Sequence, residues 1–239
     1  MKVVLSVGGS VLAPGTDHTQ VAAYADILTD LVTAGCTVGV VAGGGSVARD
    51  YITAGRLLGA NEIELDGMGI AVTRLNARLL IAAIGDGVPP TPPETYEAAR
   101  TQLLTNDLCI MGGASPGHTT DAVSAALAEY INADLLVFAT SVPGVFDADP
   151  NEDPDATRFD SLTPTDLVEQ IASMEMNAGS SAPVDLLAAK LIERSGMHSL
   201  VIDGSDPSAV VPAVTEGDHD GTAIEPVGSE TVPALWSNR

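Results

Sequence analysis

Cysteine is nearly absent from this chain of 239 residues: Cys36 and Cys109 are the only two. Each precedes an apolar run. Neither has the spacing of a disulfide framework or a zinc site, so both are expected as reduced core residues. His18, His118, His198 and His219 are scattered, and no metal pattern joins them. Lysine is as scarce: only Lys2 and Lys190 occur, and lysine plus arginine total 10 against 32 Asp and Glu. Ten dispersed cations cannot assemble a basic patch, so nucleic acid is excluded as a partner. No run approaches the ~18 consecutive apolar residues of a membrane span. The N-terminus lacks a signal peptide's basic start and cleavage site. A cytoplasmic protein with no membrane partner is expected. Aromatic residues make up 3% of the chain, so its core must rest on Ala, Val and Leu. No G-x-x-x-x-G-K-[ST] stretch occurs, which excludes a P-loop protein.

What the chain has is acid and glycine. Its formal net charge is -22, without an acidic block of the kind that marks a disordered tail. Acid spread over a folded chain means a strongly hydrated surface, as expected of a protein working in molar salt. The glycines fall at informative places. Residues 111–130 read as the end of a strand, a loop with Gly112, Gly113, Pro116 and Gly117, and a helix capped by Thr119 or Thr120. The helix carries Val123, Leu127 and Ile131 on one face. A glycine-rich loop at a helix N-terminus suits an anion. Its amides point at the ligand, the missing Cβ atoms allow close approach, and the helix dipole favours negative charge. The threonine hydroxyls add donors. The same device follows the strands at 3–7 and 37–41, as Gly8-Gly9-Ser10 and Gly43-Gly44-Gly45.

Nearly continuous apolar strands are expected at 3–7, 37–41, 108–111, 134–140 and 198–202, and helices at 20–34, 46–58, 64–84, 94–104, 163 onward, 185–195 and 206 onward. For the long helix at 64–84 the expected inward face is Leu65, Met68, Val72, Leu75, Leu79 and Ala83. Residues 146–160 read as an exposed acidic loop, and 228–239 as a disordered tail after a single domain over 1–227. Alternating strands and helices argue an α/β fold: a largely parallel central sheet covered on both faces. Ligands of such sheets sit at the carboxyl ends of the strands, so three anion-binding turns on one edge could hold several phosphates in line. Arg49 is expected in the first turn of its helix. A cation there opposes the helix dipole unless an anion lies between them, so Arg49 is a candidate phosphate ligand; the alternative is a solvated surface arginine.

Gly43-Gly44-Gly45-Ser46-Val47-Ala48 also fits the dinucleotide fingerprint G-x-G-x-x-A, with Glu62 or Glu64 nearly twenty residues on. The match is weak. The acid should end a strand, whereas these glutamates open a helix, and the turn follows the second strand instead of the first.

Several stretches together resemble the amino acid kinase superfamily, and within it the archaeal type of uridylate (UMP) kinases. They are Gly8-Gly9-Ser10-Val11-Leu12, residues 43–52, Asp66-Gly67-Met68-Gly69-Ile70, Thr73-Arg74-Leu75-Asn76-Ala77, residues 116–123 and Asp147-Ala148-Asp149-Pro150. Ala178-Gly179-Ser180-Ser181 and Leu187-Ala188-Ala189-Lys190 continue the series. The resemblance implies an αβα sandwich, with the acceptor nucleotide in the N-terminal part and ATP in the C-terminal part. It implies transfer of the γ-phosphoryl of ATP to UMP in pyrimidine nucleotide synthesis, with Mg²⁺ carried in on ATP, by a hexamer; the alternatives are another small-molecule kinase of the same fold or a non-catalytic nucleotide- or anion-binding assembly. By position, Gly44, Asp66, Ala114, Ser115, Pro116, Gly117, His118, Thr119 and Thr120 would hold UMP, Asp66 through the ribose hydroxyls. Gly9, Ser10, Gly45, Arg49, Thr140, Phe146 and Asp149 would hold ATP, Phe146 against the adenine. Arg49 and Asp121 would serve the transfer itself. Asp121 would orient a cation at the moving phosphoryl; its alternative role is that of a capping acid. Many relatives carry a lysine in the first strand where this chain has Ser6, an Asn-Val-Asp-Gly loop where it has Ser141-Val142-Pro143-Gly144, and a proline where it has Leu186.

Overall fold

The computed structural model describes residues 1–150, 153–175, 183–228, 233 and 236. Along the chain run β1 (Lys2–Val7), the one-turn α1 (Gly9–Leu12), α2 (His18–Thr33), β2 (Thr37–Ala42), α3 (Gly45–Leu57) and α4 (Glu62–Ile84). Then come α5 (Tyr96–Leu103), β3 (Leu108–Met111), α6 (Thr120–Ile131), β4 (Leu135–Thr140) and β5 (Ser161–Leu162). The C-terminal part supplies α7 (Pro164–Glu175), α8 (Leu186–Ser195), β6 (Ser199–Asp203), α9 (Val210–Glu216) and β7 (Thr222–Ile224).

The strands form one seven-stranded sheet in the order β3-β2-β1-β4-β6-β7-β5. Its pairings are parallel except β6 with β7, so it is the largely parallel sheet the sequence implies. Alternate residues of each strand face opposite layers. Val3, Leu5 and Val7 of β1 join Val38, Val40 and Ile110 in a core closed by α2, α4 and α9. Val4 joins Val41, Met111, Leu136 and Phe138 in the other core, closed by α6, α7 and α8. Ser6 has the parity of Val4, which sets it beneath α6.

Helix ends follow local chemistry. Asp17 caps α2 by accepting from Thr19 N, and Asn61 and Glu64 form a reciprocal capping box on α4. Asp185 caps α8, which Gly196 closes in the left-handed conformation.

The long helix departs from expectation. α4 does bury Leu65 and Val72, but the rest of its inner face is Thr73, Asn76, Ala77, Leu80 and Ile81. Leu75 and Leu79 are exposed, at 60% and 40%, and Ala83 is exposed as well. α4 carries two apolar stripes. The one that packs inward contains the small and amide side chains able to meet the glycine turns. α4 is also long and apolar enough to cross a membrane by length and composition alone. Here it lies packed against α2 and α3.

Two further expectations change. The stretch 146–160 is not simply exposed: Asp149 within it and Val145 beside it are buried, and Phe146 bridges to Arg158. β5 and β7 were not foreseen. Most of the tail expected to be disordered, and the stretch Ala178-Gly179-Ser180-Ser181, lie outside the described residues. Trp236 is described and has a fixed place: its Nε1 donates to Val214 O at 2.9 Å and its ring lies on Gly217.

Candidate active site

Three glycine turns and Thr140 stand side by side at the carboxyl ends of β3, β2, β1 and β4. The order in which strands were added reverses between β1 and β4, the position where such sheets hold ligands. The turns touch. A Cβ on Gly9 would lie 2.0 Å from Gly45 N, and one on Gly43 would lie 2.3 Å from Gly9 N. Only glycine lets the backbones of the first two turns meet this closely.

On the β2–β3 side a cavity of about 520 Å³ opens, walled by Gly44, Gly45, Ala48, Arg49, Ile52, Asp66, Gly69, Ile70, Thr73, Gly113, Gly117, His118, Thr119 and Thr120. Most of the residues expected around the acceptor are thus brought together. Ala114 packs partly against the core, and Ser115 and Pro116 stand exposed on the same loop. Asp66 accepts a hydrogen bond from Gly117 N at 2.7 Å, which spends one loop amide to tie the loop to α4. Arg49 is exposed at the cavity wall and makes no ion pair among the described residues. It is the fifth residue of α3, which starts at Gly45, so it lies just beyond the first turn where it was expected.

Thr119 is the N-cap of α6: Ala122 N donates to its hydroxyl at 3.1 Å, and that hydroxyl donates to Asp185. It is therefore committed, and of the two threonines expected as ligand donors Thr120 is the one with no such partner among the described residues. Asp121 accepts from Ser6 Oγ at 3.0 Å. Burial pushes its carboxyl up to about 7, against the opposing Ser6 hydrogen bond and with a further upward push from Asp185. Where the resemblance places a lysine there is a neutral hydroxyl, so among the described residues no cation at that position offsets the burial of this carboxylate.

On the β1–β4 side, Gly9 is buried and Ser10 exposed in α1. Thr140 folds its own turn, its hydroxyl donating to Val142 O at 2.8 Å and accepting from Val142 N at 3.0 Å. Phe146 O accepts from Gln170 Nε2 at 2.9 Å, and Asp149 is buried at 9% exposure. These residues lie outside the cavity, across the touching turns from it.

The turns are held by residues of the stretch 73–77, to which the sequence assigns no role. Thr73 Oγ1 accepts from Gly113 N at 2.7 Å, and Arg74 Nε donates to Gly113 O at 3.2 Å while pairing with Glu94. Asn76 Nδ2 donates to Gly43 O at 2.7 Å and lies 3.4 Å from Gly44 O. Their signal was present, as polar residues at helical spacing on a face that had to pack. Glu64, the acid of the weak dinucleotide fingerprint, is spent on the cap of α4, its carboxylate accepting from Asn61 N at 2.8 Å. Among the described residues no group of three or more His, Cys, Asp or Glu could hold a metal ion.

Residues 1–203 match the sequence profile of the Amino acid kinase family. The chain belongs to that family. Among its relatives in the amino acid kinase family is a Halobacterium salinarum protein named uridylate kinase, 61% identical over all of this chain and 99% of that protein. A protein of the same name from Haloarcula marismortui is 61% identical over 95% of this chain and 99% of its own length. The crystal structure of uridylate kinase from Archaeoglobus fulgidus superposes with a TM-score of 0.83 at 45% identity, covering 94% of this chain and all of that one. A UMP kinase structure from Bacillus anthracis, 22% identical, shares the fold with a TM-score of 0.79.

Proposed function

We propose that this chain transfers the γ-phosphoryl of ATP to UMP, giving UDP and ADP. One observation carries the reading: relatives named uridylate kinase match at 61% identity over essentially the full length. The site supports it. Phosphoryl transfer needs donor and acceptor held in line and the spreading charge met by fixed dipoles and cations, with little covalent help. In this reading UMP occupies the cavity between β2 and β3. Asp66 meets the ribose while Gly117 N holds it in place, and Gly44, Thr120 and the 114–118 loop meet phosphate and base. ATP lies over β1 and β4, against Gly9, Ser10, Gly45, Thr140, Phe146 and Asp149. The phosphoryl crosses where Gly9 and Gly45 touch, with Arg49 beside its path. The acceptor part and the donor part belong to one domain over 1–227.

Mg²⁺ would arrive on the triphosphate, whose charge it offsets during transfer. Bound that way, the metal would be held mainly by phosphate oxygens and water. We take the enzyme to be cytoplasmic, salt-adapted and a homohexamer with no nucleic-acid or membrane partner. Tyr51, Leu57, Leu58 and Ile63 of the α3–α4 region, all at least 60% exposed, support burial between copies.

The test is purified protein with ATP, Mg²⁺ and UMP, CMP, AMP or GMP, with ADP measured. UMP should react far faster than the others. Buried donors and acceptors set to one base edge penalise another by roughly 1–3 kcal/mol per unmatched group. Equal turnover of AMP would refute the assignment.

A further inference from the structure

The glycine turn after β2 has no side chains with which to aim its amides, and it begins α3 without a side-chain cap. Its geometry has to be imposed from outside. Asn76 reaches it from α4, is 7% exposed, and sends Nδ2 to Gly43 O at 2.7 Å with Gly44 O at 3.4 Å. Both neighbours are carbonyl oxygens, so the NH₂ end of the amide must face them; the reverse orientation would set oxygen against oxygen.

A trans peptide group is planar, and its N–H points opposite to its C=O. Fixing Gly43 O toward Asn76 therefore turns the Gly44 N–H away from α4. Fixing Gly44 O, which also accepts from Ala48 N at 3.4 Å, does the same for the Gly45 N–H. These are the leading amides of α3, where no intrahelical acceptor exists. Among the described residues neither has a protein acceptor. Gly45 stands at φ +65°, so the turn has no steric preference of its own that would keep these planes in place.

We propose that Asn76 is the positioning residue of the transfer site: it locks two peptide planes so that the Gly44 and Gly45 amides face the anion between donor and acceptor. This deepens the kinase reading and rests on it. Asn76 does not touch substrate in this account. It acts through backbone dipoles, which stabilise charge without reorganising only if they are held before the reaction begins.

The test compares Asn76→Leu and Asn76→Asp, both close in size to asparagine, with the parent enzyme in molar KCl. kcat, KM for UMP, KM for ATP and the unfolding midpoint are measured, and rates are corrected for folded fraction. Removing a fixed donor from such a site costs about 10²–10³ in rate, and loosening two of them should cost at least ~10-fold in kcat. KM for UMP should change less than ~3-fold, since Asp66 and the 114–118 loop still hold the nucleoside. Asn76→Asp should be the worse variant, because its carboxylate repels the Gly43 and Gly44 carbonyls and drives the planes over. An unchanged kcat, or a loss accounted for entirely by folded fraction, would overturn the proposal. The parent enzyme's turnover of UMP is the control for the reading beneath it. If the parent does not phosphorylate UMP, that reading fails by itself. Weaker binding of pyrophosphate by Asn76→Leu than by the parent, in titration calorimetry, then still supports Asn76, and equal binding overturns it.

Discussion

Asp121→Asn should make this protein more stable at pH 8 and less active. The carboxyl is raised from 3.8 to about 7, first by burial, then by Asp185, with the Ser6 hydrogen bond working the other way. A carboxyl raised on folding binds its proton more tightly in the native state than in the unfolded chain. Stability is therefore greatest below the unfolded value, falls as pH rises from about 4 to about 7, and levels off above that. At 1.36 kcal/mol per pH unit, the full gap gives a penalty of about 4 kcal/mol at pH 8. An ionised acid in the first turn of α6 recovers about 0.3–1 kcal/mol from the helix dipole, which asparagine gives up. Asp121→Asn keeps an oxygen for Ser6 Oγ and removes the ionisation, so the expected net gain is roughly 2–4 kcal/mol at pH 8. For a chain of this length that is about 4–16 °C in unfolding midpoint. The gain should fall to less than half by pH 5. Denaturant unfolding of both proteins across pH 5–8 measures it. kcat should drop at least ~10-fold at pH 8, where the parent carboxylate is ionised and can act on the moving phosphoryl, and by less toward pH 5, where the parent carboxyl is itself neutral. A variant that is no more stable at pH 8, or whose gain is independent of pH, would show that the carboxyl pays no desolvation cost and that the Ser6–Asp121 argument is wrong.

Arg49→Ala should lower kcat with little change in KM for UMP, whereas Asp66→Ala should chiefly raise KM for UMP, because it releases the Gly117 loop along with the ribose contact. Each should cost roughly 1.5–3 kcal/mol, and steady-state kinetics on both substrates separates the two patterns. Gly9→Ala should abolish activity and lower the unfolding midpoint, since its Cβ would sit 2.0 Å from Gly45 N; activity with an unchanged midpoint would refute that contact. Activity and unfolding midpoint should both rise from ~0.1 M to molar KCl, as the Debye length falls from about 10 to 3 Å. Full activity with an unchanged midpoint at low salt would show that the acid is no adaptation to salt.

The sheet and its turns were legible because the signals there are redundant. Residues 3–7, 37–41 and 108–111 are buried on both faces, so each reads as a continuous apolar run, and glycine ends each run. β5 and β7, of two and three residues, leave too little sequence to carry a period. The face of α4 was misread for a physical reason. Leucine marks burial in general, but the part of this helix that meets the backbone turns presents Thr73, Asn76 and Ala77 to them. Asp66 and Arg49 could be placed by position. The partners of Asp121 could not: Ser6 is 115 residues away in sequence, and Asp185 acts from the cap of another helix. Thr119 was assigned a free hydroxyl because its second partner, Asp185, also lies far along the chain.

The acidic surface and the glycine turns answer one problem. A chain of charge -22 has ten cations, and several are already committed: Arg56 to Glu62, Arg74 to Glu94, Arg158 to Asp220, Lys190 to Glu193, Arg194 to Glu129. Arg100 lies over the Tyr130 ring, and Lys2 donates to Ile131 O. Arg49 is thus a rare cation with room for a ligand phosphate, and a single arginine cannot offset two polyanions. Peptide dipoles can supply the remainder. They add no net charge, so they do not compete with the surface acid for salt, and they act at contact distance, where a mobile ion atmosphere screens little. They work only if each plane is held, because a glycine turn left to itself samples many orientations. Hence the burial of Thr73 and Asn76 on a helix that could have presented leucine. Two polar side chains were placed in the packing layer, each satisfied by a turn, and the turns gained a fixed direction.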